Sequence, residues 1–148
     1  MSRARLVAYW VTTVWIALSM GGGGVAHVLH VPATVDGFVR LGYPLHFVTL
    51  LGIWKILGAL ALLAPKFPRL KEWAYAGFTF DLTAAAFAWA VTGASDNDVS
   101  NTGHILAALA GLPLVFASWT LRPDSRKLPS GHQTPGRLTE LASSPAVA

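Results

Sequence analysis

The stretch PLHFVTLLGIWKILGALALLAPKFPRLKEWAYAGFTFDLTAAAFAWAV, residues 44–91, decides the fold of this chain. It contains two apolar segments, residues 45–63 and 73–91, separated by a short basic turn at residues 64–72. Each segment is close to the roughly 20 residues that an α-helix needs to cross a hydrocarbon core about 30 Å thick. The stretch therefore predicts a transmembrane helical hairpin.

Each predicted helix of the hairpin carries one full charge near its middle, Lys55 in the first and Asp81 in the second. In an antiparallel hairpin, residues at equal depth lie symmetrically about the turn, and these two positions are symmetric about Pro68. A charge at the centre of a membrane helix costs roughly 2.5–3.5 kcal/mol on insertion scales, so neither side chain is expected to face lipid. Small residues, which let helices approach closely in lipid, lie one or two turns from these charges: Gly52, Gly58, Ala59, Ala74, Gly77, Ala84, Ala85 and Ala88. We predict a buried Lys55–Asp81 ion pair.

Two further apolar runs, residues 6–25 and 105–121, complete the expected membrane domain at residues 1–121. Pro32 and Gly37 interrupt the segment between the first two helices, so residues 27–43 are predicted to form a loop or an interfacial segment. Residues 122–148 are rich in Pro, Ser, Gly and basic residues and have no apolar periodicity, which predicts a disordered basic tail. The predicted fold class is all-α, an integral membrane four-helix bundle.

The distribution of lysine and arginine predicts the orientation of this bundle. Nine basic residues lie in the N-terminus, the hairpin turn and the tail: Arg3, Arg5, Lys66, Arg69, Lys71, Arg122, Arg126, Lys127 and Arg137. The two loops on the opposite side contain only Arg40. The positive-inside rule therefore places both ends of the chain in the cytoplasm.

Composition supports a multi-pass membrane protein surrounded by a lipid bilayer. Charged residues make up 12% of the 148 residues, about half the usual fraction in soluble domains, and the mean hydropathy is +0.51. The absence of cysteine excludes disulfides and thiolate chemistry. The basic residues are scattered between apolar segments rather than clustered on a polar face, so the net charge of +4 does not indicate nucleic-acid binding.

The N-terminal run leaves one alternative open. Its basic start, its apolar stretch and the small residues Gly24 and Ala26 also fit a secretory signal peptide. Cleavage there would leave His27 as the new N-terminus, and the sequence does not decide between a retained and a cleaved first helix.

Four histidines are predicted on the non-cytoplasmic side: His27, His30, His46 and His104. Such imidazoles can ligate a metal or haem, or exchange protons with a redox ligand. No carboxylate or cysteine stands at an established ligand spacing, so no metal site is predicted. The alternative is that each ring is an interfacial residue bonded to backbone or water.

The sequences LGIWKILGALALL at residues 51–63, FPRLKEWAYAGF at residues 67–78 and FDLT at residues 80–83 resemble the DoxX-like family of small bacterial membrane proteins. The resemblance covers most of residues 6–120 and implies a four-helix protein of the bacterial inner membrane. The family name comes from a subunit associated with a terminal quinol oxidase. Relatives are linked to thiosulfate or quinone redox metabolism, while distant relatives are assembly factors. Many relatives carry a histidine shortly after the Asp81 position, whereas this chain has none until His104.

These observations lead to one main functional hypothesis. The protein is expected to bind a quinone or a similar hydrophobic small molecule in an outward-opening pocket, as a redox-associated subunit. Lys55 and Asp81 would form the polar, chemically active floor of this pocket. The four histidines would form its mouth, and an apolar wall would come from Trp54, Phe78 and Phe80.

Two other functions are consistent with the same residues. In a non-catalytic assembly or accessory protein the ion pair would be purely structural, and the partner would be another membrane protein, a redox protein or a second copy of the chain. In an isomerase-type enzyme acting on a lipid-like substrate, Asp81 would shuttle a proton. The sequence does not choose among a binding protein, an accessory protein and an enzyme, and it leaves the ligand open.

Overall fold

A computed structural model describes residues 2–96 and 99–128 of the chain. These residues form five α-helices and a short 3₁₀ turn: α1 (Arg3–Val28), α2 (Pro32–Arg40), α3 (Leu45–Leu63), α4 (Pro68–Asp96), α5 (Val99–Leu121) and the turn Asp124–Arg126. No strand occurs within the described ranges. The predicted all-α class is confirmed.

Three of the described helices are long and apolar enough to cross a membrane: Arg3–Val28, Leu45–Leu63 and Thr102–Leu121. Large apolar side chains such as Leu18, Leu60 and Phe116 are exposed on their outer faces. Helices that are apolar on every face are typical of a membrane environment. The chain is therefore a membrane protein, and a fourth span by the 29-residue helix α4 stays a prediction.

The boundaries of α3 agree with the predicted helix, whereas α1, α4 and α5 are longer than predicted. The turn between α3 and α4 is the clearest correction, because α4 already begins at Pro68. Proline favours the first turn of a helix, where its missing N–H has no intrahelical partner. Lys66 and Phe67 have positive φ angles of 64° and 52° and reverse the chain just before it.

Helix α2 lies within residues 27–43, for which the sequence predicts a loop or an interfacial segment. Pro32 does not break this helix but starts it. Gly37 is where α2 meets α4, since a Cβ atom added there would lie 3.2 Å from the Trp89 ring. Pro32 thus starts a short helix, and Gly37 lets this helix pack closely against α4.

The four long helices contact one another in a closed ring. Helix α1 packs against α3 and α5, and α4 also packs against α3 and α5. Helices α1 and α3 approach each other closely at Gly24 and Gly52, where a Cβ atom on either residue would lie 2.7 Å from the carbonyl oxygen of the other. This contact explains part of the glycine run at residues 21–24. Helix α1 also supplies Tyr9 and Ile16 to the buried residues.

Buried polar groups connect the helices at the end of the ring where a turn joins α3 to α4. We call this end the turn end. The Ser118 hydroxyl on α5 is 2.7 Å from both the Thr13 hydroxyl on α1 and the Tyr75 hydroxyl on α4. The buried Lys71 ammonium donates to the carbonyl oxygens of Ala61 (2.7 Å), Leu62 (3.1 Å) and Ala64. Ala61 and Leu62 lie in the last turn of α3 and Ala64 is its C-cap residue, so the helix itself supplies no donor for these carbonyl groups. Lys71 therefore joins α4 to the end of α3.

Lys71→Met is expected to lower the free energy of unfolding by about 1–3 kcal/mol, because it leaves the Ala61 and Ala64 carbonyl groups without the Lys71 donor. The measurement is unfolding of purified protein in mixed detergent and SDS. Lys66→Met is the control, since Lys66 lies exposed in the same connection and the effect there should stay within about 0.5 kcal/mol. Equal effects of the two substitutions would contradict the capping role of Lys71.

The predicted disordered tail begins too early. Arg122 is buried and forms a 2.8 Å ion pair with Glu72, and its guanidinium lies 5.0 Å from the centre of the Tyr75 ring. Arg126 donates to the Tyr9 hydroxyl at 3.2 Å and lies 4.6 Å from the centre of the Trp10 ring. The reason is that these guanidinium groups find acceptors and aromatic faces on the helices. The rest of the predicted tail, residues 129–148, lies outside the described residues.

Candidate functional site

Lys55 of α3 and Asp81 of α4 form the predicted ion pair, with 3.2 Å between the Lys55 Nζ and Asp81 Oδ2 atoms. Both side chains are largely buried, at 16% and 13% exposure. Gly58 and Phe78 are also symmetric about Pro68 in the sequence, and they pack against each other. A Cβ atom added at Gly58 would lie 2.8 Å from the Phe78 ring. The antiparallel alignment predicted from the turn thus places both pairs at matching depths.

A cavity of about 510 Å³ lies at the opposite end from the turn, and we call it the α2 cavity because α2 forms part of its wall. The ion pair lies at its border together with small residues of α4 that leave the space open: Ala84, Ala85 and Ala88. Other lining residues carry polar groups or aromatic rings: His27, Asp36, Arg40, Tyr43, Trp89 and His104. Charged groups, imidazoles and apolar side chains from several helices therefore border the same space.

His27 is the most deeply buried histidine of this cavity, with 7% exposure. Its ring packs edge-on against Phe38 of α2, with 4.9 Å between ring centres. The buried Nδ1 atom has no hydrogen-bond partner. Buried polar atoms are nearly always paired in folded proteins, so this unpaired nitrogen is an exception in the part of the chain that the structure describes.

The four predicted histidines do not all lie at the α2 cavity. His104 borders it and stacks on Trp89, with 4.4 Å between ring centres. His30 is exposed, and its Nε2 atom is 2.8 Å from the Thr49 hydroxyl. His46 is also exposed and does not border the cavity. Among the described residues, no group of three His, Asp or Glu side chains is arranged to hold a metal ion.

The three predicted aromatic wall residues lie outside the α2 cavity. They border a second space of about 440 Å³ between α3 and α4, which we call the lateral groove. Trp54 and Phe80 are 66% and 72% exposed, whereas Phe78 is buried against Gly58. Adjacent residues differ by about 100° around a helix. Trp54 and Phe80 therefore point away from the cavity that their neighbours Lys55 and Asp81 border.

A model of the DoxX-like family matches residues 11–118 of the chain. The chain belongs to the DoxX-like family. No curated protein and no solved structure gave a significant match. The part that matches the DoxX-like family contains every residue that lines the α2 cavity and the lateral groove.

Sequence reasoning missed several residues of this DoxX-like site. Asp36, Arg40 and Tyr43 belong to α2 and the segment after it, which the sequence indicated only as a loop or interfacial segment. Trp89 was detectable, because it lies one helical turn after Ala85, which belongs to the small-residue stripe around Asp81. The small-residue stripe that includes Ala84 and Ala88 predicted close helix packing, but part of it borders the open cavity instead.

Proposed function

We propose that this DoxX-like protein is a four-helix bundle that spans the membrane four times and binds a hydrophobic small molecule, such as a quinone, at the α2 cavity. The observation that carries the proposal is that the Lys55–Asp81 pair and the imidazole of His27 border one cavity. Convergent polar groups in an otherwise apolar space are typical of small-molecule sites.

The proposed orientation has both ends of the chain in the cytoplasm. Helix α4 spans about 43 Å at 1.5 Å per residue, which is sufficient to cross a bilayer. Pairing of Asp81 with Lys55 reduces the cost of placing α4 in lipid. The basic residues at the turn end and in the N-terminus favour the cytoplasm for that end. This orientation turns the α2 cavity away from the cytoplasm.

The residues at the cavity complement a ligand with carbonyl or hydroxyl groups. The Lys55 ammonium can donate to a carbonyl oxygen, and the Asp81 carboxylate can accept from a hydroxyl group. The His27 Nδ1 atom can donate or accept according to its tautomer. A quinone and its quinol present these groups, so the proposed role is that of a subunit associated with a redox partner, which would supply or remove electrons.

His27→Phe is expected to weaken binding of the tail-less quinone 2,3-dimethoxy-5-methyl-1,4-benzoquinone about tenfold. The substitution keeps the ring contact with Phe38 but removes a hydrogen-bonding group, a loss of about 1.4 kcal/mol. Binding is followed by quenching of tryptophan fluorescence, to which Trp89 at the cavity contributes. His46→Phe is the matched control, because His46 does not border the cavity.

This titration, together with unfolding and turnover assays, separates the proposal from its alternatives. If wild type binds no quinone and the variants of Lys55 and Asp81 only unfold more easily, the protein is an accessory protein with a structural ion pair. If His27→Phe and His46→Phe bind equally well, the site does not use His27. Turnover of a lipid-like substrate without an electron donor would identify an isomerase-type enzyme that uses Asp81.

A further inference from the structure

The lateral groove differs from the α2 cavity in chemistry and direction. Its border is apolar apart from the ion pair, and it includes Leu57, Ala61, Leu70, Trp73, Gly77 and Phe80. It lies between α3 and α4, on a face where Trp54, Trp73 and Phe80 are exposed. In the proposed membrane orientation this face contacts the hydrocarbon core.

The groove and the α2 cavity meet at the ion pair. Leu51, Lys55 and Asp81 border both spaces. The pair can therefore be approached from two directions, from the α2 cavity and from the apolar groove at the side. A ligand group at the pair would lie next to both spaces.

The groove is also long enough for an extended chain. It follows α4 from Asp81 to Leu70, which corresponds to about 16 Å at 1.5 Å per residue. It runs from the pair towards the turn end, whereas the cavity lies on the α2 side of the pair. Head and tail sites thus follow one another along the helices.

We propose that the ligand is a single amphiphile with a hydrogen-bonding head and one linear hydrocarbon tail, and that this tail occupies the lateral groove. This inference rests on the proposed function, because the head must contact Lys55 and Asp81. The occupant is the tail of the same molecule rather than a chain of a bilayer lipid, because the groove begins at the pair that holds the head. The ligand would enter sideways from the bilayer.

Gly77→Leu tests this inference without changing the head site. Gly77 borders the groove, and a Cβ atom added there has no neighbouring atom within 4 Å, so the leucine side chain fills the groove without a clash at its root. Gly22→Leu is the matched control. Gly22 is also an exposed helical glycine without neighbours, but it borders neither space.

Two probes with the same head are titrated against the purified full-length variants. These are 2,3-dimethoxy-5-methyl-1,4-benzoquinone, without a tail, and its derivative with a decyl chain. We expect Gly77→Leu to weaken binding of the decyl probe at least fivefold relative to Gly22→Leu, and to leave binding of the tail-less probe unchanged. Comparison with Gly22→Leu removes the effect of partition into detergent.

The remaining outcomes separate the inference from the proposed function. If the decyl probe binds both glycine variants equally while His27→Phe weakens binding of both probes, the proposed head site is supported and the proposed tail site is wrong. If Gly77→Leu weakens both probes equally, the groove does not act as a tail site. If wild type binds neither probe, the proposed function itself fails.

Discussion

Asp81→Leu is expected to lower the free energy of unfolding by about 3 kcal/mol, because it leaves the Lys55 ammonium without its partner between α3 and α4. Breaking a buried ion pair on one side costs roughly 3–5 kcal/mol. The lower end of this energy range applies to Asp81→Leu, because the Lys55 side chain is still 16% exposed. The measurement is unfolding in mixed detergent and SDS, with helix content followed by circular dichroism.

The double variant Lys55→Met/Asp81→Leu is the control for this prediction. Replacing both charges by apolar groups of similar size removes the unpaired charge, and such replacements are often neutral or stabilising. We expect most of the lost stability to return, while quinone binding stays lost. A double variant that is as unstable as Asp81→Leu would show that the cost comes from packing rather than from the unpaired charge.

Gly52→Leu is expected to have a similarly large effect, at or above about 3 kcal/mol, because overpacking at this position separates two helix backbones. A Cβ atom on Gly52 would lie 2.7 Å from the Gly24 carbonyl oxygen and 2.9 Å from the His27 Cβ atom. Neither contact can be relieved by rotation of a long side chain. Helices α1 and α3 must therefore move apart, and His27 must move with α1.

Gly22→Leu serves as the control for this substitution, since a side chain at residue 22 has no neighbour within 4 Å. We expect the thermal melting temperature of Gly22→Leu to stay close to that of wild type, and that of Gly52→Leu to fall strongly. If the two variants have the same melting temperature, the α1–α3 contact is looser than the distance between Gly24 and Gly52 indicates. Quinone binding should fail in Gly52→Leu even where some folded protein is recovered.

Together these variants separate stability from binding. Lys71→Met acts at the turn end, away from the α2 cavity, so it should change stability and leave quinone affinity intact. His27→Phe should do the reverse. Substitutions at Asp81 and Gly52 should change both, because the ion pair and the α1–α3 contact build the site as well as the bundle.

The sequence by itself determined the hairpin, its register and the Lys55–Asp81 pair. These features follow from short-range rules: the turn fixes the antiparallel symmetry, and the cost of an unpaired charge in lipid selects the partner. The family resemblance rested on the same residues and is confirmed. Helix α3 was also predicted with its observed boundaries.

Only the tertiary structure decided which side chains meet at the site. The outward orientation of Trp54 and Phe80 follows from their positions next to Lys55 and Asp81, but the sequence does not show which other helices border the two charged residues. His27 borders the α2 cavity and His46 does not, which depends on how α1, α2 and α3 pack against one another. Arg122 was assigned to a tail because its acceptor Glu72 is far away in sequence. Pairing within one hairpin is a local property, whereas the cavity exists only where several helices converge.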